Sequence, residues 1–175
     1  HEAFGGPDIF VSNAGMAIHR SPEEMSLEEW DRNIQTNLRS FFMGAQAVFP
    51  FMKEAGGGKI ISIGSMYTLF GSEALPAYGA SKGGIVQLTK SLAVAWAPYN
   101  IQVNSILPGF INTELSADGK RDIPGFEEAV IRRTPAGRWG DPEDIEGAAI
   151  FLASRASAFI TGAALPVDGG YAVRG

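Results

Sequence analysis

Apolar residues in this chain follow two rhythms. Short unbroken runs, Asp8–Ser12 (DIFVS), Lys59–Ile63 (KIISI), Ile101–Leu107 (IQVNSIL) and Ala163–Val167, have the length and composition of buried strands. Turn-forming residues follow three of them: Asn13-Ala14-Gly15, Pro108-Gly109 and Asp168-Gly169-Gly170. Between the runs the spacing becomes helical. Leu27, Trp30, Ile34, Phe41, Ala45, Val48 and Met52 share one predicted face. Their helix starts at Ser26, with Glu29 three residues on as in a capping box, and runs to about Glu54, where Gly56-Gly57-Gly58 stops it. A second helix carries Tyr78 and Lys82 and ends near Pro98, and a short one covers Phe126–Arg133. A last helix starts at Asp141-Pro142 and turns Ile145, Ala148, Ala149 and Leu152 inward. The stretch from Phe110 to Gly125 has little periodicity and reads as a loop.

Strands alternating with helices, the strands apolar without alternation, predict an α/β fold: a parallel sheet with helices on both faces. No repeat or interdomain linker interrupts residues 1–175, which read as a single domain. Ligands of such sheets sit beyond the carboxyl ends of the strands. Asn13, Ser65 and Pro108 each lie just past a predicted strand, so the pattern alone brings them to one rim.

Candidate chemistry gathers there. Tyr78 and Lys82, four apart on a helix, share a face, and Ser65 lies thirteen residues before the tyrosine. An ammonium beside a phenol favours the phenolate, lowering a pKa that is ordinarily about 10. A tyrosine so tuned exchanges a proton with an alcohol near neutral pH. The structural alternative is a surface pair on an exposed helix. For Asn37 it is a solvent-facing polar residue, and for Asn13-Ala14-Gly15 and Pro108-Gly109 it is a plain turn. Gly56-Gly57-Gly58-Lys59 lacks the Ser or Thr of a phosphate-binding loop and precedes a strand, so it reads as structural.

The stretch Lys59–Thr89 resembles the active-site segment of the short-chain dehydrogenase/reductase family, a serine followed by Tyr-x-x-x-Lys, with Ser65, Tyr78, Ala80, Ser81 and Lys82 in place. The resemblance implies the carboxyl-terminal two-thirds of a Rossmann-type doubly wound parallel sheet, with catalytic Asn37, Ser65, Tyr78 and Lys82. It implies NAD or NADP as cofactor, met by Asn13, Ala14, Gly15, Ile63, Tyr78, Lys82, Pro108, Gly109, Ile111 and Thr113. Ser12 stands where the family's Asn-Asn-Ala-Gly has its first asparagine. The family's Gly-x-x-x-Gly-x-Gly turn, which binds pyrophosphate, does not occur. An intact member would carry about 80 further residues before His1, so the chain reads as truncated. The segments Ala136–Asp144 and Trp96–Asn100 look most like gluconate and glucose dehydrogenases acting on sugars or sugar acids. A 3-oxoacyl thioester reductase and a non-catalytic oligomerising fragment are the alternatives.

Composition narrows the partners. A net charge of −5 without a basic cluster argues against nucleic acid, and no apolar run nears the roughly 20 residues that cross a bilayer. The absence of cysteine fits a reducing cytoplasm, and the sequence reads as one without a secretory leader. Two histidines, His1 and His19, are too few for a metal cluster, and Asp118, Asp122, Glu127 and Glu128 read as a solvated segment rather than metal ligands. The family's usual tetramers and the surplus of aromatics at Phe41, Phe42, Phe49, Phe51 and Trp96 predict a homo-oligomer, tetramer or dimer.

Overall fold

The computed structural model describes residues 5–174, the side chains of Asp118 and Asp122 apart. Four parallel strands form one sheet in chain order: β1 (Ile9–Ser12), β2 (Gly58–Ile63), β3 (Ile101–Pro108) and β4 (Ala164–Val167). The register pairs Phe10 with Ile60 and Ile60 with Val103, which sets those three residues on one face. Ile61 and Ile106 fall on the other. Both faces are therefore apolar, which is why the strand sequences do not alternate.

The first face is covered by α2 (Ser40–Glu54) and α3 (Pro76–Trp96), whose Phe41, Ala45, Met52, Ile85 and Leu92 pack on Ile60, Ile101 and Val103. The second is covered by α6 (Pro142–Ala153), with Leu152 and Ile145 on Ile61 and Ile106. The sheet steps in one direction from β1 to β4. The crossovers into β2 and β3 pass over one face and the crossover into β4 over the other, so the last has the opposite hand. Parallel crossovers are overwhelmingly of one hand, and no local pattern in the sequence announced this change.

The predicted first helix is three segments. The Ser26–Glu29 capping box starts α1 (Leu27–Asn33), a π-helical stretch follows at Ile34–Arg39, and α2 continues from Ser40. Leu27, 82% exposed, and Trp30, 37% exposed, do not join the core face that their spacing predicted. The wide π turn rotates the helix, so the apolar stripe before it falls out of line with the stripe after it. Gly56, at φ 78°, ends α2 in the left-handed region, and β2 follows directly. The glycine run is a helix stop. The expected loop after Phe110 instead holds α4 (Glu114–Asp122), started by Thr113 and Ser116 in a reciprocal cap, before α5 (Phe126–Arg133). Periodicity missed α4 because it has little apolar side to bury.

Of the aromatics expected at an interface, Phe41 is fully buried and Phe49 stacks on Trp96 at 4.6 Å. The core absorbs these three, and Phe42 remains 44% exposed. At the sheet edge, β1 turns Phe10 into the core and leaves Ile9 and Val11 nearly half exposed on the α6 face. His1 lies outside the described residues, as do the side chains of Asp118 and Asp122. No helix among the described residues is long and apolar enough to cross a membrane, and none of their His, Cys, Asp and Glu cluster as metal ligands.

Candidate active site

The carboxyl ends of β1, β2 and β3 open into a cleft of about 510 Å³. Ile63 and Ser65 come from the end of β2, Tyr78 and Lys82 from α3, and Asn13 and Gly15 from the turn after β1. Pro108, Gly109, Ile111 and Thr113 complete the floor from the segment after β3. Ala14 does not line the cleft, nor does Asn37, which lies one layer behind it.

Local structure explains each placement. Ser65 leaves β2 extended (φ −168°) and caps the short turn Met66–Thr68, accepting from Tyr67 N at 3.3 Å. Pro76 sits in the first turn of α3, where a missing N–H costs nothing, so Tyr78 and Lys82 lie within the next turns. Both are nearly buried, at 9% and 4% exposure. Asn37 stands in the π stretch and is 1% exposed, which rules out the solvent-facing reading. Its Oδ1 accepts from Met16 N at 2.8 Å, and its Nδ2 donates to Met16 O and to Ser81 Oγ, both at 2.9 Å. One side chain thus ties the turn after β1 to α3. A π turn often marks a functional position. Gly109 passes the β4 end closely: a Cβ there would lie 2.6 Å from the Asp168 Cα.

The electrostatics differ from the sequence expectation. Burial pushes the Tyr78 phenol up from its ordinary range, and the opposing influence is the Ser65 hydroxyl. Lys82 does not draw the phenol down. Its ammonium donates to Ile63 O at 2.7 Å and stands 5.6 Å from the phenol ring centroid. Burial lowers Lys82 itself to about 8. Removal from water disfavours the charged form of each group, which raises the phenol and lowers the ammonium. Tyr67 also lines the cleft, edge-on to Tyr78 with centroids 5.9 Å apart, and burial is the main cause that raises it to about 12.

Sequence reasoning missed the outer wall. His19 and Ala17 line the cleft from the segment after β1, with Leu75, Phe110, Leu115 and Phe126 opposite. Phe110 also contacts Trp139 and Tyr171, with centroids 5.3 and 5.0 Å away. Lys120 lies 3.9 Å from the Trp139 centroid and donates to Asn112 Oδ1 and Glu127 Oε1. The Thr113–Ser116 cap was the one sequence signal that could have exposed this wall.

The comparisons agree with this geometry. Residues 1–172 match the family model described as enoyl-(acyl carrier protein) reductase. The 2-dehydro-3-deoxy-D-gluconate 5-dehydrogenase of Dickeya dadantii is 41% identical over 172 residues, covering 98% of this chain and 68% of that protein. The gluconate 5-dehydrogenase of Gluconobacter oxydans is 40% identical, covering 96% of this chain and 66% of that protein. A gluconate 5-dehydrogenase from Burkholderia cenocepacia, crystallised with NADP and tartrate, superposes with a TM-score of 0.95 at 40% identity, covering 98% of this chain and 67% of that one. This chain spans about two thirds of the length of these relatives. With Ser65, Tyr78 and Lys82 on one cleft above a parallel sheet, it belongs to the short-chain dehydrogenase/reductase family.

Proposed function

We propose that this chain carries the catalytic part of an NAD(P)-dependent oxidoreductase that interconverts an alcohol and a ketone on a sugar or sugar acid. The observation that carries the reading is Ser65 and Tyr78 lining one cleft, with Lys82 one helical turn behind the tyrosine. The similarity to gluconate-type dehydrogenases supports the substrate class.

The residues present fit the nicotinamide half of a dinucleotide. A Cβ at Gly15 would stand 3.4 Å from Lys82 Nζ and 3.6 Å from Asn37 Oδ1, in contact with both, so the glycine keeps that polar corner open. Asn13, Lys82, Thr113 and the backbone of Pro108–Ile111 would hold the group. Bound there, it supplies or accepts the hydride. Ser65 donates a hydrogen bond to the substrate oxygen. Tyr78, which burial keeps as a protonated phenol, gives its proton to the ketone oxygen and takes one back from the alcohol in reverse. Lys82, at about 8, returns a proton near neutral pH. Asn37 is a positioning residue: its amide donors are taken by Met16 and Ser81, and it fixes the backbone beside the ammonium.

The test is nicotinamide fluorescence on titration with NADH and NADPH, followed by turnover of gluconate against an acetoacetyl thioester. No binding at millimolar cofactor leaves an oligomerising fragment. Turnover of the thioester alone favours the acyl reductase, for which the aromatic wall at Phe110 and Phe126 and the family model's description speak. The chain functions as one domain of a homo-oligomer in the cytoplasm on this reading. The exposed Phe42, Met43 and Val94 on α2 and α3 support self-association, and light scattering after size exclusion gives its stoichiometry.

A further inference from the structure

The cleft has an unusual balance of charge. Its lining includes two side chains able to carry positive charge, Lys82 and His19, and no carboxylate among the described residues. Lys82 is engaged deep in the site with Ile63 O. His19, exposed and lining the cleft, has no hydrogen-bond or ionic partner among the described residues. It is also held in place. Met16, three residues before it, is bonded through both backbone groups to Asn37. Arg20, one residue after it, donates from its backbone to Ala74 O at 2.9 Å and from its guanidinium to Glu29 at 3.0 Å. Residues 17–19 are therefore strung between two anchors across the mouth of the cleft.

Resting on the alcohol–ketone reading above, we propose that His19 is the specificity residue that receives the carboxylate of an acidic sugar substrate while the reacting carbon meets Ser65 and Tyr78. The other cations near the wall are committed elsewhere: Arg20 to Glu29, Lys120 to Glu127 and Asn112, and Arg133 against the Tyr171 ring. The other titratable groups among the described lining residues are Tyr67, Tyr78 and Lys82. Glu73, beside the Ala74 anchor, does not line it. Among the described side chains of the lining, an anion placed here meets no carboxylate. A neutral polyol gains only hydrogen bonds, so charge separates the two classes. Imidazole changes charge between pH 5 and 8, whereas a sugar-acid carboxylate stays ionised there. Binding of the acid is then linked to protonation of His19, and the linkage runs both ways.

Histidine occurs only at positions 1 and 19, so proton–carbon NMR of the imidazoles resolves the question on the chain as it stands. The His19 titration is followed from pH 5 to 8.5 alone, with D-gluconate, and with D-sorbitol, the neutral polyol of the same carbon chain. Gluconate raises the His19 midpoint by about one pH unit, and sorbitol leaves it in place. That unit corresponds to about tenfold tighter gluconate binding to the protonated form. His19→Gln weakens gluconate binding about tenfold at pH 6 and leaves sorbitol binding unchanged. His19→Arg restores it and removes the pH dependence. An equal response to both ligands, or no response to gluconate, overturns the assignment. Because this readout needs no turnover, either result leaves the oxidoreductase reading to its own test by cofactor titration.

Discussion

Replacing Lys82 with methionine should change the fold's stability by an amount whose sign depends on pH. The ammonium is 4% exposed, and burial lowers it from an unfolded value near 10.5 to about 8. Below pH 8 both folded and unfolded chains carry the proton, and the folded state bears the full desolvation penalty, about 3 kcal/mol at 1.36 kcal/mol per unit. Between about 8 and 10.5 the unfolded chain binds more protons than the folded one, so stability rises with pH until the penalty is gone. Methionine removes the penalty but leaves Ile63 O, which accepts from Lys82 at 2.7 Å, without its donor, a cost of about 1–2 kcal/mol. Lys82→Met is therefore more stable than wild type by about 1–2 kcal/mol at pH 7 and less stable by a similar amount near pH 10.5. Urea unfolding of both proteins across pH 6–10.5 measures the difference, and titration of the shared tyrosines cancels in it. A stability difference that stays constant over this range would refute the argument that desolvation governs Lys82. So would a methionine variant less stable than wild type at pH 7.

Tyr78→Phe should leave thermal stability within about 1 kcal/mol and cut turnover at least a hundredfold. Turnover within tenfold of wild type removes the phenol from proton transfer. Asn37→Ala orphans Met16 N and Met16 O and takes the donor from Ser81 Oγ, which still donates to Tyr78 O, and should cost about 2–4 kcal/mol by chemical denaturation. It should also release the 16–20 segment, seen as faster amide exchange there. Gly109→Ala drives a Cβ to 2.6 Å from the Asp168 backbone, and since neither chain can yield cheaply, a loss of about 2 kcal/mol or more is expected in the same assay.

Much of the site was legible before any coordinates. Ser26–Glu29, Asp141-Pro142 and the strand-end turns are local chemistry, and each stands where its residue types predicted. Ser65, Tyr78 and Lys82 reach one cleft because strand ends and a four-residue helical spacing leave few other outcomes. Helix α4 was not legible, since Glu114–Asp122 offers little apolar face and begins from a Thr–Ser cap rather than the stronger Thr–Glu form. His19 was weighed only as a metal ligand. Nothing in its neighbours says that Met16 and Arg20 are tied down on either side of it.

The sequence by itself determined the strands, most helix boundaries and the rim on which the phenol, the hydroxyl and the ammonium meet, because those depend on periodicity and on residues adjacent in the chain. Only the tertiary structure decided that Asn37 lies buried in a π turn, that the crossover into β4 passes over the opposite face, and that burial rather than charge attraction sets the Tyr78 and Lys82 pKa values. Each of these depends on what packs against a residue from tens of positions away, and desolvation has no local pattern to read.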